Sequence, residues 1–384
     1  MHDYLFDINT VRFAFIVGVL ASVIIYERFH LTSGSIVVPG YVAVFVLQPL
    51  ILLVTLLNAL FSYWMVNHVL QKRLLLDGRN KFSTIMIISA SVQVVLLKVS
   101  PATPYLWESS IPLLVGVGYL VPALIAHDFG RQGIKKTMKA VGMSSALVAV
   151  PMTLAIMFFP DSAAEGTLAG FGVLAFPPEW IPMSVILSAA AAWALQYNYG
   201  FRSAGYVGAA YLAMLTTSPL NLIFLGVIGL ASWLLVTRVF MRTMIVFGRR
   251  KFALMMVSAS IISWAGVWIS TAVFDVSIAA YESMATVALT PLFVPGLIAN
   301  DLERSSPLLV FSGLVYSVGF VLTTTWLVTT AVTGYYGGWV PLPMSIAVSV
   351  ICGLVIFGNQ FVLLGRYVWA TTLGRFLSPA TARS

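Results

Sequence analysis

The chain is 384 residues long, 60% apolar and only 9% charged, with a formal net charge of +8. Soluble domains carry about 25% charged residues. This composition, with a mean hydropathy of +0.96, therefore excludes a soluble globular protein and implies a polytopic membrane protein. Period-2 alternation is absent, which argues against an outer-membrane barrel. The basic residues cluster between apolar runs, as cytoplasmic loops do, so no nucleic-acid partner is expected. One cysteine, Cys352 inside an apolar run, allows neither an intrachain disulfide nor a cysteine-based metal site.

Residues 1–10 are acidic (Asp3, Asp7) and lack the basic region of a cleaved signal peptide. The first apolar run, Phe13 to Tyr26, is thus expected to stay as a helix, closed by Glu27-Arg28. Gly34 to Tyr41 is apolar but broken at Pro39 and Gly40, where a proline removes a backbone donor. Val42 to Leu47 continues it, Pro49 breaks it again, and Leu50 to Val66 follows. A basic loop holds Lys72, Arg73, Arg79 and Lys81. Ser83 to Val99 reads as a span, Ser100 to Glu108 as a loop and Ile111 to Ala126 as a short Gly/Pro-containing span. A second basic loop, from Arg131 to Lys139, precedes a span over Val141 to Phe159. Asp161 to Glu179 is an acidic connector. Beyond it lie Ile181 to Gln196, Gly205 to Thr217, Leu220 to Val236, a basic stretch from Arg238 to Lys251, Phe252 to Phe274, Ala285 to Ala299 and Leu308 to Val332. A last run, Pro341 to Leu364, ends in a basic, small-residue tail with Arg366, Arg375 and Arg383.

Two landmarks occur twice. Gly78-Arg79-Asn80-Lys81-Phe82 returns 170 residues later as Gly248-Arg249-Arg250-Lys251-Phe252, with four of five positions identical. Val121-Pro122-Ala123-Leu124-Ile125-Ala126-His127-Asp128 returns 173 residues later as Val294-Pro295-Gly296-Leu297-Ile298-Ala299-Asn300-Asp301, with six of eight identical. Two marker pairs in one order and at nearly one spacing indicate a tandem duplication. The units are residues 1–160 and 180–332, joined by an extracytoplasmic connector at 161–179. An extra helix at 341–365 and a cytoplasmic tail at 366–384 follow.

The two Gly-Arg-x-Lys-Phe segments, Gly78–Phe82 and Gly248–Phe252, form basic knots that belong on one side of the membrane, so an even number of crossings separates them. Dividing residues 34–67 near Pro49 gives six crossings per unit. It also places every Lys and Arg except Arg12 and Lys98 inside. The expected fold is all-α: two parallel six-helix repeats plus one C-terminal helix, thirteen crossings in all. Gly34 to Gln48 would rise only about 22 Å as a helix, against about 30 Å of hydrocarbon. A re-entrant half-helix is the alternative there.

The order of motifs resembles a known family. Glu27-Arg28-Phe29-His30-Leu31, then Val37-Val38-Pro39-Gly40-Tyr41, Gln48-Pro49, the knot and the Val-Pro-x-Leu-Ile-Ala segment are similar to the small membrane subunit of bacterial poly-γ-glutamate synthase, PgsC or CapC. The departures are clear. The unit normally occurs once. In the second copy Tyr197 stands at the Glu27 position and Val207-Gly208-Ala209-Ala210-Tyr211 replaces the Val-Val-Pro-Gly-Tyr core. Either the copies have divided the work, or the chain replaces a homodimer. The resemblance implies a multi-pass protein of the bacterial inner membrane that serves as an accessory, non-catalytic subunit. It would hold a cytoplasmic Mur-ligase-like amide ligase (PgsB/CapB-like) at the bilayer and help pass the glutamate polymer across, with a PgsA/CapA-like subunit as a further partner. ATP and a divalent metal would belong to the ligase, and this chain would carry no cofactor.

The residues agree that no complete active site is present. There is no phosphate-loop or His-Glu-x-x-His motif, and His2, His30, His68 and His127 are scattered, so neither a metal site nor a catalytic residue is assigned. Candidates for binding the ligase or the polyanion are Arg79, Lys81, Arg249, Arg250 and Lys251, because guanidinium and ammonium groups suit carboxylates. Glu27 is a further candidate, with orienting the broken segment as its role; plain interfacial pairing with Arg28 or a Lys/Arg neighbour is the alternative. Pro39, Gly40, Tyr41, Pro122, Pro295, Gly296 and Asn300 mark broken helices whose freed backbone can line a polar path. Asp128 and Asp301 are read as helix terminators. A competing reading is an autonomous secondary transporter of small solutes built from two parallel repeats. The lack of a charged residue clearly at mid-membrane disfavours it.

Overall fold

A computed structural model describes residues 8–46, 49–73, 76, 78–99, 120–158, 175–217, 219–274 and 290–368. The N-terminal segment, most of the acidic connector, the 100–108 loop, the start of the 111–126 and 285–299 runs and the tail beyond 368 lie outside them.

Among the described residues the protein is all-helical. The first repeat contributes α1 (Ile8–Phe29), α2 (Val38–Val44), α3 (Pro49–Trp64), α4 (Gly78–Val99), α5 (Val121–Gln132) and α6 (Ile134–Phe158). The second contributes α7 (Ile181–Tyr199), α8 (Gly208–Met214), α9 (Pro219–Leu235), α10 (Gly248–Phe274), α11 (Thr290–Arg304) and α12 (Pro307–Thr333), and α13 (Leu342–Val368) closes the chain. The duplication is visible in detail: α3 and α9 both run into a π-helical turn, at Met65–Leu70 and Val236–Phe240. Five described segments are long and apolar enough to cross a membrane: Pro49–Leu70, Ile134–Leu154, Asn221–Thr243, Pro307–Thr333 and Leu342–Arg366.

Contacts between helix ends place the knots on one side of the bundle. Arg250 at the start of α10 bonds Glu27 at the end of α1. Lys81 at the start of α4 donates to Gln71, just past the π-turn after α3, at 3.1 Å. Phe82 of the first knot and Arg249 and Phe252 of the second line one cavity together with Tyr26 of α1, so the ends of α1 and α3 lie on the same side, and the chain must cross back between them. In the second repeat the far end of that return is seen directly: Ala175, ahead of α7, donates to the carbonyl of Met214 at the end of α8, 3.0 Å away. The return is made by an unwound stretch followed by a seven-residue helix. Seven helical residues rise only about 10 Å, so the rest of the return is made by the unwound residues, which bend over 34–37 in the first repeat and turn over 205–207 in the second.

Each unwound stretch needs two consecutive left-handed residues, Gly34 (φ 76°) and Ser35 (φ 107°), or Ala204 (φ 56°) and Gly205 (φ 71°). Only one of each pair is glycine, and in the two repeats it is the opposite one. The half-helix then packs tightly. A Cβ on Gly18 would stand 2.5 Å from the Gly40 nitrogen, so α1 and α2 meet backbone to backbone, as small residues allow in membrane bundles.

Three expectations need correction. The knots are not loops, because Gly78 and Gly248 open α4 and α10 and the basic residues occupy first turns. Lys135, Lys136 and Lys139 likewise lie within α6. Asp128 and Asp301 do not end their helices, which run on to Gln132 and Arg304. In each case helical hydrogen bonding continues past the apolar stretch, so the edge of hydropathy is not the edge of the helix.

The repeats pack reciprocally: α1 of the first against α10 of the second, and α4 of the first against α7 of the second. This is the pattern of an isologous dimer interface, here within one chain. One continuous core draws on both units, with Tyr41, Phe129, Tyr211 and Phe293 among its fully buried side chains.

Candidate functional site

The break after α1 exposes backbone groups that a membrane interior cannot leave unpaired. Two α5 side chains one turn apart satisfy them. Asp128 Oδ2 accepts the Gly34 N–H at 2.9 Å. Gln132 reads both backbone groups of Thr32: its Oε1 accepts the N–H at 3.0 Å and its Nε2 donates to the carbonyl at 2.5 Å. The shared Asp of the repeated Val-Pro motif is therefore a clamp on the unwound segment.

Between this segment, α5 and the second repeat's knot lies a cavity of about 410 Å³. Thr32, Gly34, Ser35 and Ile36 form one wall, and Leu124, His127, Asp128 and Arg131 of α5 form another. Tyr26 and Phe82 contribute from α1 and α4, and Arg249 and Phe252 enter from α10. The site thus belongs to the first repeat but is completed by the second.

The second knot's three cations have different roles. Arg250 pairs with Glu27 on an exposed edge. Lys251 pairs with Glu303 at 2.7 Å. Arg249 donates from Nη2 to the Ser22 hydroxyl at 3.2 Å and lies over the Tyr26 ring, 5.0 Å from its centroid. Its Nε, His127 Nδ1 and Thr32 Oγ1 are buried without a protein partner. Exposed Arg131 lies 3.8 Å from Asp128.

The same place in the second repeat is built differently. Arg202 stands at the Thr32 position and pairs with Asp301 at 3.4 Å, while Asp301 also accepts the Gly205 N–H at 3.1 Å. Tyr206 stands at the Ile36 position, its ring edge-on to Phe82 with centroids 5.3 Å apart. Asn80, the counterpart of Arg250, accepts a hydrogen bond from Trp193 of the other repeat at 2.8 Å. Both knots therefore reach across to the opposite unit.

A family model described as Capsule biosynthesis CapC matches the chain twice, at residues 17–138 and 183–311, together well over half its length. The chain belongs to this family. Among curated relatives, the PGA biosynthesis protein CapC of Bacillus subtilis (strain 168) is 34% identical over 145 residues, which are 38% of this chain and 91% of that protein. The Capsule biosynthesis protein CapC of Bacillus anthracis is 30% identical over 145 residues, covering 38% and 95%. No solved structure matches the chain. One CapC-like protein thus corresponds in length to one repeat, and this chain holds two CapC units.

Of the sequence candidates, the structure brings Glu27, Arg249 and Arg250 to one place and seats Lys251 beside Glu303. Glu27 pairs with Arg250 of the other unit rather than with Arg28. Lys81 bonds Gln71, because Gly130 stands where the second unit has Glu303. Arg79 lies in the first turn of α4, but its side chain is outside those described. Pro39, Gly40 and Tyr41 are buried in the first turn of α2 against α1, off the cavity. Pro122 opens α5, and Pro295 and Gly296 lie inside α11, where Gly296 packs on Met256. Asn300 is buried with its Oδ1 unpartnered. Thr32, His127 and Arg131 were not singled out as cavity residues by sequence. The available signal was the difference between copies, Thr32 against Arg202 and His127 against Asn300.

Proposed function

We propose that this protein is the integral-membrane subunit of a bacterial complex that makes poly-γ-glutamate, as a capsule or a released polymer, and exports it. The observation that carries this reading is the double match to the CapC family; its Bacillus relatives are named for PGA and capsule biosynthesis. In this reading the chain lies in the cytoplasmic membrane with the knot side inward, following the bias of basic residues. Its two units, residues 1–160 and 180–332, act together as a pseudo-dimer. Exposed Lys72, Arg73, Lys135 and Lys136 offer a cationic surface to a cytoplasmic ATP-dependent amide ligase, which brings ATP and its divalent metal. The membrane subunit anchors that ligase and helps the acidic chain across.

The test is purification of the tagged chain from detergent-solubilised native membranes. A co-purifying amide ligase, with glutamate-dependent ATP turnover in the eluate, supports the reading. A chain that emerges alone and moves a small solute in proteoliposomes overturns it in favour of an autonomous transporter.

A further inference from the structure

Two of the three cations in the first turn of α10 already have carboxylate partners, Arg250 with Glu27 and Lys251 with Glu303. Arg249 does not. Its side chain is largely withdrawn from water, its contacts are a neutral hydroxyl and an aromatic ring, and its Nε has no partner. No carboxylate among the described residues lies within ion-pair distance of it. Withdrawing a guanidinium from water without a counter-charge is costly, and an anion in the adjoining cavity would remove that cost. Asp128, the one carboxylate among the described residues that line the cavity, attracts Arg249 only from beyond ion-pair distance and is engaged by the Gly34 N–H and by Arg131.

We propose that the cavity is a carboxylate-binding site, one per chain, with Arg249 of the second repeat as its anchor and Arg131 of the first at its opening. Resting on the poly-γ-glutamate reading, its ligand is the end of a γ-linked glutamate chain. There is one site rather than two because the second repeat supplies its own cation: Arg202, at the Thr32 position, already pairs with Asp301. A guanidinium fork also accepts phosphate, so an anionic lipid headgroup is the competing occupant.

The experiment uses the full chain in phosphatidylcholine nanodiscs, titrated with γ-linked triglutamate and with its neutral amide. One triglutamate is expected per chain, with no binding of the amide. Arg249→Gln and Thr32→Arg should each weaken binding at least tenfold, about 1.4 kcal/mol. Arg249→Lys should fall between, and Arg366→Gln should match the wild type. Thr32→Arg installs the residue the second repeat already carries, so a monodisperse variant tests the site without testing the fold. Wild-type affinity in Arg249→Gln or in a monodisperse Thr32→Arg, or two triglutamates per chain, overturns the proposal. So does phosphatidylglycerol that displaces triglutamate and is itself shed by Arg249→Gln. Loss of this site with the ligase still co-purifying refutes the cavity alone. Triglutamate binding without any ligase refutes the complex and leaves the site.

Discussion

Gly18 and Gly226 are both helical glycines in apolar surroundings, and the structure predicts opposite outcomes for the same substitution. A Cβ on Gly18 would stand 2.5 Å from the Gly40 nitrogen and 2.7 Å from its Cα, where non-bonded heavy atoms settle at about 3.5–4.0 Å. Both obstructing atoms are backbone, so no rotamer change relieves the contact and α1 and α2 must separate by about 1 Å. Overpacking of this kind costs about 1–3 kcal/mol, and the rigid obstruction favours the upper end. The gain in helix propensity from Gly to Ala returns about 1 kcal/mol, leaving Gly18→Ala destabilised by about 2 kcal/mol. Gly226 has no atom within 4 Å of its would-be Cβ, so Gly226→Ala keeps only the gain. Thermal unfolding of the two purified variants in detergent, followed by tryptophan fluorescence, should put Gly18→Ala several degrees below the wild type and Gly226→Ala at or above it. Equal midpoints would refute the close α1–α2 crossing. The strain should also reach the cavity, because α2 continues directly from the unwound segment that lines it.

Further outcomes follow from the ion pairs and the topology. Arg202→Gln strands the buried Asp301 carboxylate and should cost about 3 kcal/mol. Arg202→Gln with Asp301→Asn should recover much of that loss, as read by the same melts. Glu27→Gln breaks a pair whose side chains are 37% and 56% exposed, so it should leave the melting midpoint almost unchanged; a clear drop would mean the pair is not at a solvated edge. In a Cys352→Ser background, Asn80→Cys and Arg250→Cys should react with a membrane-impermeant maleimide from the same face, and Tyr335→Cys from the other. Labelling of the two knots from opposite faces would exclude the shared knot side.

The class, the duplication and the sidedness were legible in the sequence because each depends on a property that survives without coordinates. Apolar length sets how a segment meets a bilayer, two ordered motif pairs mark a repeat, and clustered Lys and Arg mark one face. The sequence even exposed the difficulty at residues 34–48, too short for a full helix, although not its solution by a half-unwound crossing. Tertiary structure alone decided the candidate site. Three adjacent cations, Arg249, Arg250 and Lys251, are equivalent in composition, yet two meet carboxylates 223 and 52 positions away and one faces a cavity. Asp128 looked like a helix end because polarity stops an apolar run, whereas in space it clamps Gly34 from 94 residues away. Hydropathy and spacing act locally along a helix. Which cation is left without a counter-charge depends on how the repeats cross, and that is fixed only when α1 meets α10 and α4 meets α7.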